Sequence, residues 1–140
     1  MKKEKVYELA LTIAKNIAKL KKGTLIVIGP KNKFRGTYER LYPQLISNYN
    51  IKEKGIKIVL EKLATLDGAI LLSDSGEILA YGAKIKKSKP VLGHGTKHAA
   101  ASGITNYIKN STAILVSEEI NWIRVFQNGK IIMEMDPQTM

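Results

Sequence analysis

The stretch Gly93-His94-Gly95-Thr96-Lys97-His98-Ala99-Ala100-Ala101 is the point around which the rest of the chain is organised. Its two glycines allow a positive φ angle or a close approach of the backbone to a ligand. Thr96 is a favourable N-cap, and the residues after it form a first helical turn. The amino end of a helix offers free N–H groups and a positive partial charge, which together bind phosphate. The stretch predicts either an anion site or an ordinary loop that caps a packed helix.

The segments on both sides of this stretch alternate between helices and buried strands. Apolar residues at helical spacing predict an N-terminal helix over residues 3–22, closed by Gly23. The same spacing predicts helices over 56–66 and from Thr96 to about Lys109. Continuous apolar runs predict buried strands at 24–28, 69–72 and 112–116. Turn residues predict two hairpins, one around Asp74-Ser75-Gly76 and a type I′ hairpin around Asn128-Gly129.

Two regions have weaker patterns. Residues 31–50 predict a loop around Gly36 and then a short helix through Tyr38, Leu41 and Ile46. Residues 84–90 predict a basic loop. The fold class is α/β, a mixed central β-sheet flanked by helices, in a single domain over residues 1–140.

Composition limits the class of protein. With 140 residues, 44% hydrophobic and 25% charged, the chain is long enough for a real core. It has no cysteine, so it forms neither a disulfide nor a thiolate metal site. No apolar run reaches the roughly 18 residues of a membrane span, and the charged start lacks a signal-peptide core. We therefore expect a cytoplasmic protein with no membrane partner.

The net charge of +11 favours a polyanionic partner, either nucleic acid or the phosphates of a nucleotide. The basic residues are dispersed, however, and seven of the 23 lie within residues 1–22 on the expected solvent face of a helix. Two phenylalanines, one tryptophan and six tyrosines offer no obvious stacking platform for single strands. A basic nucleic-acid binding protein is therefore an alternative that rests on charge alone, and it predicts steeply salt-dependent binding.

Three short motifs lie near predicted strand or helix ends, where α/β proteins tend to bind ligands. They are Asp67-Gly68-Ala69, Thr96-Lys97-His98 and Ser117-Glu118-Glu119. Each alone is weak evidence for a site, because a turn, a first helical turn or a solvated acidic pair explains it more simply. Together they supply oxygen ligands for Mg²⁺ or Mn²⁺ and cationic or N–H donors for phosphate.

The order and spacing of these motifs resemble the diadenylate cyclase domain family. That family has an Asp-Gly-Ala motif, a Gly-Thr-Arg-His-Arg motif about 30 residues later, and then Val-Ser-Glu-Glu, which here is Val116-Ser117-Glu118-Glu119. The similarity covers a motif-bearing core of about residues 50–134. Since no sensory or membrane domain is seen, the resemblance implies a small archaeal-type or stand-alone member, or a fragment of a longer protein.

The resemblance implies a reaction. Such enzymes condense two ATP molecules into cyclic di-AMP and two pyrophosphates with a divalent metal, Mn²⁺ or Mg²⁺. Two protomers, each with one ATP, form a face-to-face dimer in which each 3′-hydroxyl attacks the other α-phosphate. A two-fold site suits two identical half-reactions.

The resemblance also implies roles for individual residues. Asp67, Lys97 and His98 are the expected catalytic residues, and Asp67 and Glu119 are the expected metal ligands. The expected nucleotide-binding residues are Gly68, Ala69, Ile85, Gly95, Thr96, Lys97, His98, Ala99, Ala100, Ser117 and Glu118. Within this set, Gly68 leaves room for the sugar and Ile85 lies against adenine.

Two positions depart from the family motif. Its first arginine is Lys97, which keeps the charge but loses the bidentate fork, and its second is Ala99, which carries no charge. A lysine within residues 84–89 or His94 is a candidate for the missing cation. The departure keeps a second alternative open, a weak or inactive module that binds ATP or a cyclic dinucleotide without cyclising it.

Overall fold

The computed structural model describes residues 2–44, 49–87 and 95–137. In these residues the three α-helices are α1 (Lys3–Lys19), α2 (Ile56–Leu63) and α3 (Thr96–Tyr107), and one 3₁₀ turn covers Lys31–Lys33. The strands are β1 (Thr24–Gly29), β2 (Tyr38–Arg40), β3 (Ala69–Ser73), β4 (Ile78–Ile85), β5 (Thr112–Val116), β6 (Ile123–Gln127) and β7 (Lys130–Met135).

These strands form one mixed sheet in the order β2-β4-β3-β1-β5-β6-β7. β1 pairs parallel to β3 and antiparallel to β5, and the hairpins β3–β4, β5–β6 and β6–β7 are antiparallel. The predicted α/β class, with a mixed central sheet flanked by helices, is confirmed.

Each face of the sheet has its own apolar layer. On one face α1 and α2 pack through residues such as Ile13, Ile17 and Leu60. On the other face α3 packs through Ala101 and Ile104. Because side chains alternate along a strand, β1 serves both layers, with Ile26 on the α1 side and Val27 on the α3 side. The runs predicted to be buried strands are buried on both faces, as the continuous apolar pattern requires.

The first helix ends earlier than predicted. It stops at Lys19 rather than residue 22, and Lys21, not Gly23, takes the positive φ of 61° at its end. The N–H of Lys22 bonds to the carbonyl of Ile17 at 3.2 Å and that of Lys21 to Ala18 at 3.0 Å. This is a Schellman termination, in which a lysine occupies the usual glycine position.

The short helix expected through Tyr38 and Leu41 is wrong. Tyr38 to Arg40 form β2, paired antiparallel with β4, and Ile46 lies outside the described residues. Leu41 extends the pairing, since its N–H donates to the Gly82 carbonyl at 3.0 Å. The side chain of Gln44 then accepts from the Tyr81 N–H at 3.0 Å and donates to the Tyr81 carbonyl at 3.2 Å. A side-chain amide thus continues the strand pairing, which the sequence pattern does not reveal.

Other boundaries shift by a few residues. α2 ends at Leu63 instead of residue 66, and α3 ends at Tyr107 instead of Lys109. The predicted basic loop begins later, because Lys84 and Ile85 belong to β4, and residues 88–90 lie outside the described ranges. The Asn128-Gly129 turn has positive φ at both residues, 52° and 79°, as a type I′ hairpin needs. Among the described residues, no helix combines the length and apolar composition needed to cross a bilayer.

We expect Gly68→Ala to lower the free energy of unfolding by at least about 2 kcal/mol. Gly68 has φ of 95°, and an added Cβ would lie 2.5 Å from the backbone carbonyl carbon of Gly82. Chemical denaturation measures the change. Gly95→Ala is the matched control, since φ there is −91° and an added Cβ meets nothing within 4 Å. Equal stability of the two variants would contradict the prediction.

Candidate active site

Strand direction brings the three sequence motifs to one edge of the sheet. Thr24 at the start of β1 pairs with Val116 at the end of β5, because these strands are antiparallel. β3 runs parallel to β1, so Asp67-Gly68 before β3 lies at the same edge. α3 precedes β5 and runs back across it, so that its amino end also comes to this edge. The start of one strand and the end of another therefore meet.

The amino end of α3 has no side-chain cap. Thr96 is not the N-cap that the sequence predicted but the first helical residue, and Gly95 is at the N-cap position in an extended conformation. The first intrahelical bond of this end runs from the Ala99 N–H to the Gly95 carbonyl at 3.1 Å. The N–H groups of Thr96, Lys97 and His98 precede that bond, so intrahelical acceptors do not serve them. Gly95 and Thr96 are exposed, which leaves this end of the helix open to an anion.

The β6–β7 turn fixes the position of α3. Ser102 Oγ donates to the Gly129 carbonyl at 2.7 Å, and the Gly129 N–H donates to Thr105 Oγ1 at 3.0 Å. Thr105 in turn donates to the Ala101 carbonyl at 2.7 Å. An added Cβ on Gly129 would lie 3.0 Å from the Asn106 side chain, so the turn and the helix are in close contact.

A cavity of about 420 Å³ lies on the Asp67 side of the helix end, and we call it the Asp67 cavity. Its wall is mostly apolar, and Asp67, Lys84 and Lys97 supply its charges. The carboxylate of Asp67 is on an exposed residue. The lining residues are Leu25, Leu41, Asp67, Gly68, Ala69, Ala83, Lys84, Ile85, Thr96, Lys97 and Ala100. An apolar wall with a few charged groups suits a flat, partly polar ligand.

A second cavity of about 420 Å³ lies on the other side of the helix end, and we call it the Arg124 cavity. It shares Thr96 and Lys97 with the first. Its lining mixes polar and apolar surface and carries the charged side chains of Lys97, Glu118, Glu119 and Arg124. The lining residues are Gly95, Thr96, Lys97, His98, Leu115, Ser117, Glu118, Glu119, Ile120 and Arg124. The amino end of α3 thus lies between an apolar cavity and a charged one.

His98 and Arg124 form a pair in the second cavity. Arg124 Nη1 lies 2.7 Å from His98 Nε2. A guanidinium only donates hydrogen bonds, so Nε2 is the acceptor and the imidazole is neutral, with its proton on Nδ1. His98 is 7% exposed, and its ring packs edge-on against Phe126, with ring centroids 6.1 Å apart. His98 is therefore held in place on two sides.

Most predicted site residues line one of the two cavities. Ala99 does not belong to the lining that the described residues form, and Gly93 and His94 lie outside those residues. A Cβ atom added to Gly68 would collide with the backbone of Gly82 and Ala83, so strand packing requires glycine at this position. Asp67 and Glu119 line different cavities. Within the described ranges, no group of three or more acidic or histidine side chains lies close enough together to hold a metal ion.

Sequence reasoning missed two residues. Leu41, 46% exposed, lines the Asp67 cavity beside Ile85, but the sequence placed it on a short helix. Arg124 carried a usable signal, because it alternates with Val125 and shares its face of β6 with the buried Phe126. An arginine at an inward-facing strand position is unusual unless it is paired.

Comparison with known proteins identifies the family. The sequence model described as DAC, DisA bacterial checkpoint controller nucleotide-binding, matches residues 12–131. The chain belongs to this family. The match spans all three motifs, so the resemblance inferred from them is confirmed.

Two archaeal relatives of this DAC family member are named diadenylate cyclase. The protein from Haloferax volcanii is 31% identical over 140 residues, which cover 95% of this chain and 52% of that protein. The protein from Methanocaldococcus jannaschii is 29% identical over 121 residues, covering 83% of this chain and 39% of that protein. The chain thus spans about half the length, or less, of these curated relatives.

Two solved structures share the DAC fold. A structure described as a hypothetical membrane spanning protein from Bacillus cereus aligns with a TM-score of 0.75 at 20% identity, over 93% of this chain and 63% of that one. A double mutant of DacA from Staphylococcus aureus aligns with a TM-score of 0.68 at 23% identity, over 97% and 90% of the two chains. At these identities the likeness concerns the fold.

We expect His98 to be a neutral imidazole with its proton on Nδ1 at neutral pH, because Arg124 can only donate to Nε2. Long-range ¹H–¹⁵N correlation spectra of the ligand-free protein distinguish the two ring nitrogens. The sequence contains one other histidine, His94. Its signals are identified because they are absent from the spectrum of His94→Gln. A proton found on Nε2 would contradict the prediction.

Proposed function

We propose that this chain is a diadenylate cyclase domain, which condenses two ATP molecules into cyclic di-AMP and two pyrophosphates. The observation that carries the proposal is the pair of cavities on either side of the α3 amino end, one apolar and one charged, joined at Thr96 and Lys97. A nucleotide has the same two-part character. Its base is flat and aromatic, with faces that pack against apolar side chains, and its triphosphate is an extended anion.

The proposed pose follows from this match. Adenine lies in the Asp67 cavity against Ile85 and Leu41, with the ribose toward Asp67. The triphosphate crosses the α3 amino end, where backbone N–H groups, the helix dipole and Lys97 stabilise it. It continues toward Ser117 and Arg124 in the Arg124 cavity. Family membership and the names of the two archaeal relatives support the same assignment.

In the proposed reaction each ribose 3′-oxygen bonds to the α-phosphorus of the other ATP, while the bond from that phosphorus to the bridging oxygen breaks and pyrophosphate leaves. The 3′-hydroxyl loses its proton in this step. Asp67 orients that hydroxyl by accepting its hydrogen bond and helps remove the proton. Catalysis otherwise depends on positioning and on stabilising the charge of the phosphates.

The metal proposed for this reaction is Mg²⁺ or Mn²⁺. Asp67 is an exposed carboxylate at the cavity shared with Lys97, which suits an ion held by one carboxylate and the phosphates of its substrate. Such an ion neutralises phosphate charge when bound. Glu119 lies with Glu118 and Ser117 in the other cavity, so within one protomer it is not grouped with Asp67.

Self-association is part of the proposal, because the sequence carries one copy of each motif while the reaction needs two. A two-fold pair would place each bound ATP opposite an identical one, so that both half-reactions use the same groups.

We expect Asp67→Asn to lower cyclic di-AMP formation by at least about 100-fold, because the amide cannot accept the proton of the 3′-hydroxyl. Purified protein is incubated with ATP and each metal in turn, and the nucleotides are resolved by chromatography and mass. Asp74→Asn is the matched control, since Asp74 follows β3 at the opposite edge of the sheet and forms an ion pair with Lys3 at 3.7 Å. ATP that binds to the wild type but is recovered unchanged would overturn the cyclase and leave a nucleotide-binding module.

We expect the activity of a mixture of wild type and Asp67→Asn to show whether two protomers act together in catalysis. At equal concentrations, with subunits free to exchange, about a quarter of the pairs contain two wild-type protomers. Cyclic product should then fall to about a quarter of that of the same total of wild-type protein, while linear dinucleotide accumulates. A fall to only about half would mean that protomers act independently.

A further inference from the structure

Arg124 is mostly but not fully buried, at the border of the apolar layer that packs α3. It lies on β6 opposite Leu115 of β5 and Glu134 of β7, and its side chain is only 12% exposed. Its face of the strand is the one that packs α3, because Leu115 and Phe126 belong to the same apolar layer as Ala101 and Ile104. A charged group in such a position needs compensation, since burial of an unpaired charge is costly.

The compensation that Arg124 receives from the described residues is incomplete. One donor, Nη1, bonds to the neutral His98 ring, which carries no negative charge. The Nε atom is buried and has no hydrogen-bond partner among the described residues. An ion pair joins Nε to a carboxylate oxygen of Glu134, which is 3.8 Å away on a side chain that is 44% exposed. That separation is too long for a hydrogen bond and permits only a screened ion pair.

The same guanidinium lines the cavity that contains Lys97, Ser117 and Glu118. An arginine presents five N–H donors in a planar fork that matches phosphate oxygens in pairs, which Lys97 alone does not provide. The position of Ala99 on α3 supplies no charge.

We infer that Arg124 is the second phosphate-binding cation of this chain, supplied from β6 in place of the arginine that Ala99 replaces on α3. It contacts the β- and γ-phosphates of ATP, which become the leaving pyrophosphate. The inference rests on the proposed function for the identity of the nucleotide, whereas the polyphosphate contact is tested independently of cyclisation.

Other basic side chains fit this role less well. Lys86 forms an ion pair with Glu39 at 3.7 Å, and Lys87 lies over the ring of Tyr107 at 4.5 Å, at the far end of α3. Lys84 lines the Asp67 cavity rather than the charged one. Lys89 and His94, also considered from the sequence, lie outside the described residues.

The test measures binding of inorganic tripolyphosphate, a triphosphate without a nucleoside, by calorimetry at fixed Mg²⁺. We expect Arg124→Gln to weaken binding about 10- to 100-fold, the effect of losing a charge-assisted contact. Glutamine keeps an N–H that can donate to His98 Nε2, so the variant removes charge while preserving the support of the ring. Arg35→Gln is the matched control, because it loses the same charge beside β2, the outermost strand on the side of the sheet away from β6 and β7.

A relocation variant separates binding from a purely structural role. Ala99→Arg added to Arg124→Gln should restore most of the tripolyphosphate affinity, although it leaves β6 without its arginine. Arg124→Lys should give an intermediate affinity, since it keeps the charge and loses the fork. Thermal unfolding of every variant shows whether a loss of binding reflects a loss of fold.

The outcomes are distinct from those of the cyclase test. Weakened binding in Arg124→Gln with rescue by Ala99→Arg supports the inference even if no cyclic di-AMP forms. A wild type that binds no tripolyphosphate overturns it. Unchanged affinity in a folded Arg124→Gln, or a loss that Ala99→Arg does not restore, overturns it while leaving the cyclase assignment standing.

Discussion

The contact between the Asn128-Gly129 turn and helix α3 is the constraint on which the site depends. Gly129 has both of its backbone polar groups satisfied by Ser102 and Thr105, and these two side chains are 2% and 0% exposed. A buried polar group that loses its partner costs about 1–3 kcal/mol, so helix and turn form or separate together. The same hairpin carries Arg124 and the helix carries His98. The hydrogen bonds between α3 and the turn therefore help to fix the position of the Arg124–His98 pair.

The site also depends on the mixed sheet, because strand direction brings together motifs that are distant in sequence. A fully parallel sheet would collect strand ends of one kind at each edge. Here β5 runs against β1 and β3, so a motif before one strand meets a motif after another. The small residues on α3, among them Ala101, Ser102 and Gly103, allow the helix to lie close to this edge. The result is an apolar cavity and a charged cavity that meet at uncapped backbone N–H groups.

Local sequence patterns were enough to predict most of the elements and the identity of the motifs. Continuous apolar runs identified β1, β3 and β5, and Asn128-Gly129 identified a type I′ turn, because these signals depend on short-range sterics and burial. β2 could not be predicted, since its residues become a strand only by pairing with β4 and through the side chain of Gln44. The end of α1 was misplaced because Lys21 accepts a conformation usually given to glycine. The roles of Leu41 and Arg124 were missed for a different reason: they require knowledge of which strands are neighbours. The functional roles of Asp67, Lys97 and Glu119 remain predictions that the cavity geometry makes testable.

The position of β1 in the sheet also has a consequence for the order in which the chain assembles. Of the seven strands, β1 is synthesised first, yet its two neighbours in the sheet are β3 and β5. Thr24 can pair with Val116 only after β5 has been synthesised. The hairpins β3–β4 and β6–β7 close over short loops and form quickly, whereas pairings across such long separations form slowly. During synthesis, the side of β1 that pairs with β5 therefore remains unpaired until the β5 segment has left the ribosome. The end of the sheet that carries the candidate site, where β1 begins and β5 ends, is therefore complete only after β5 has paired with β1.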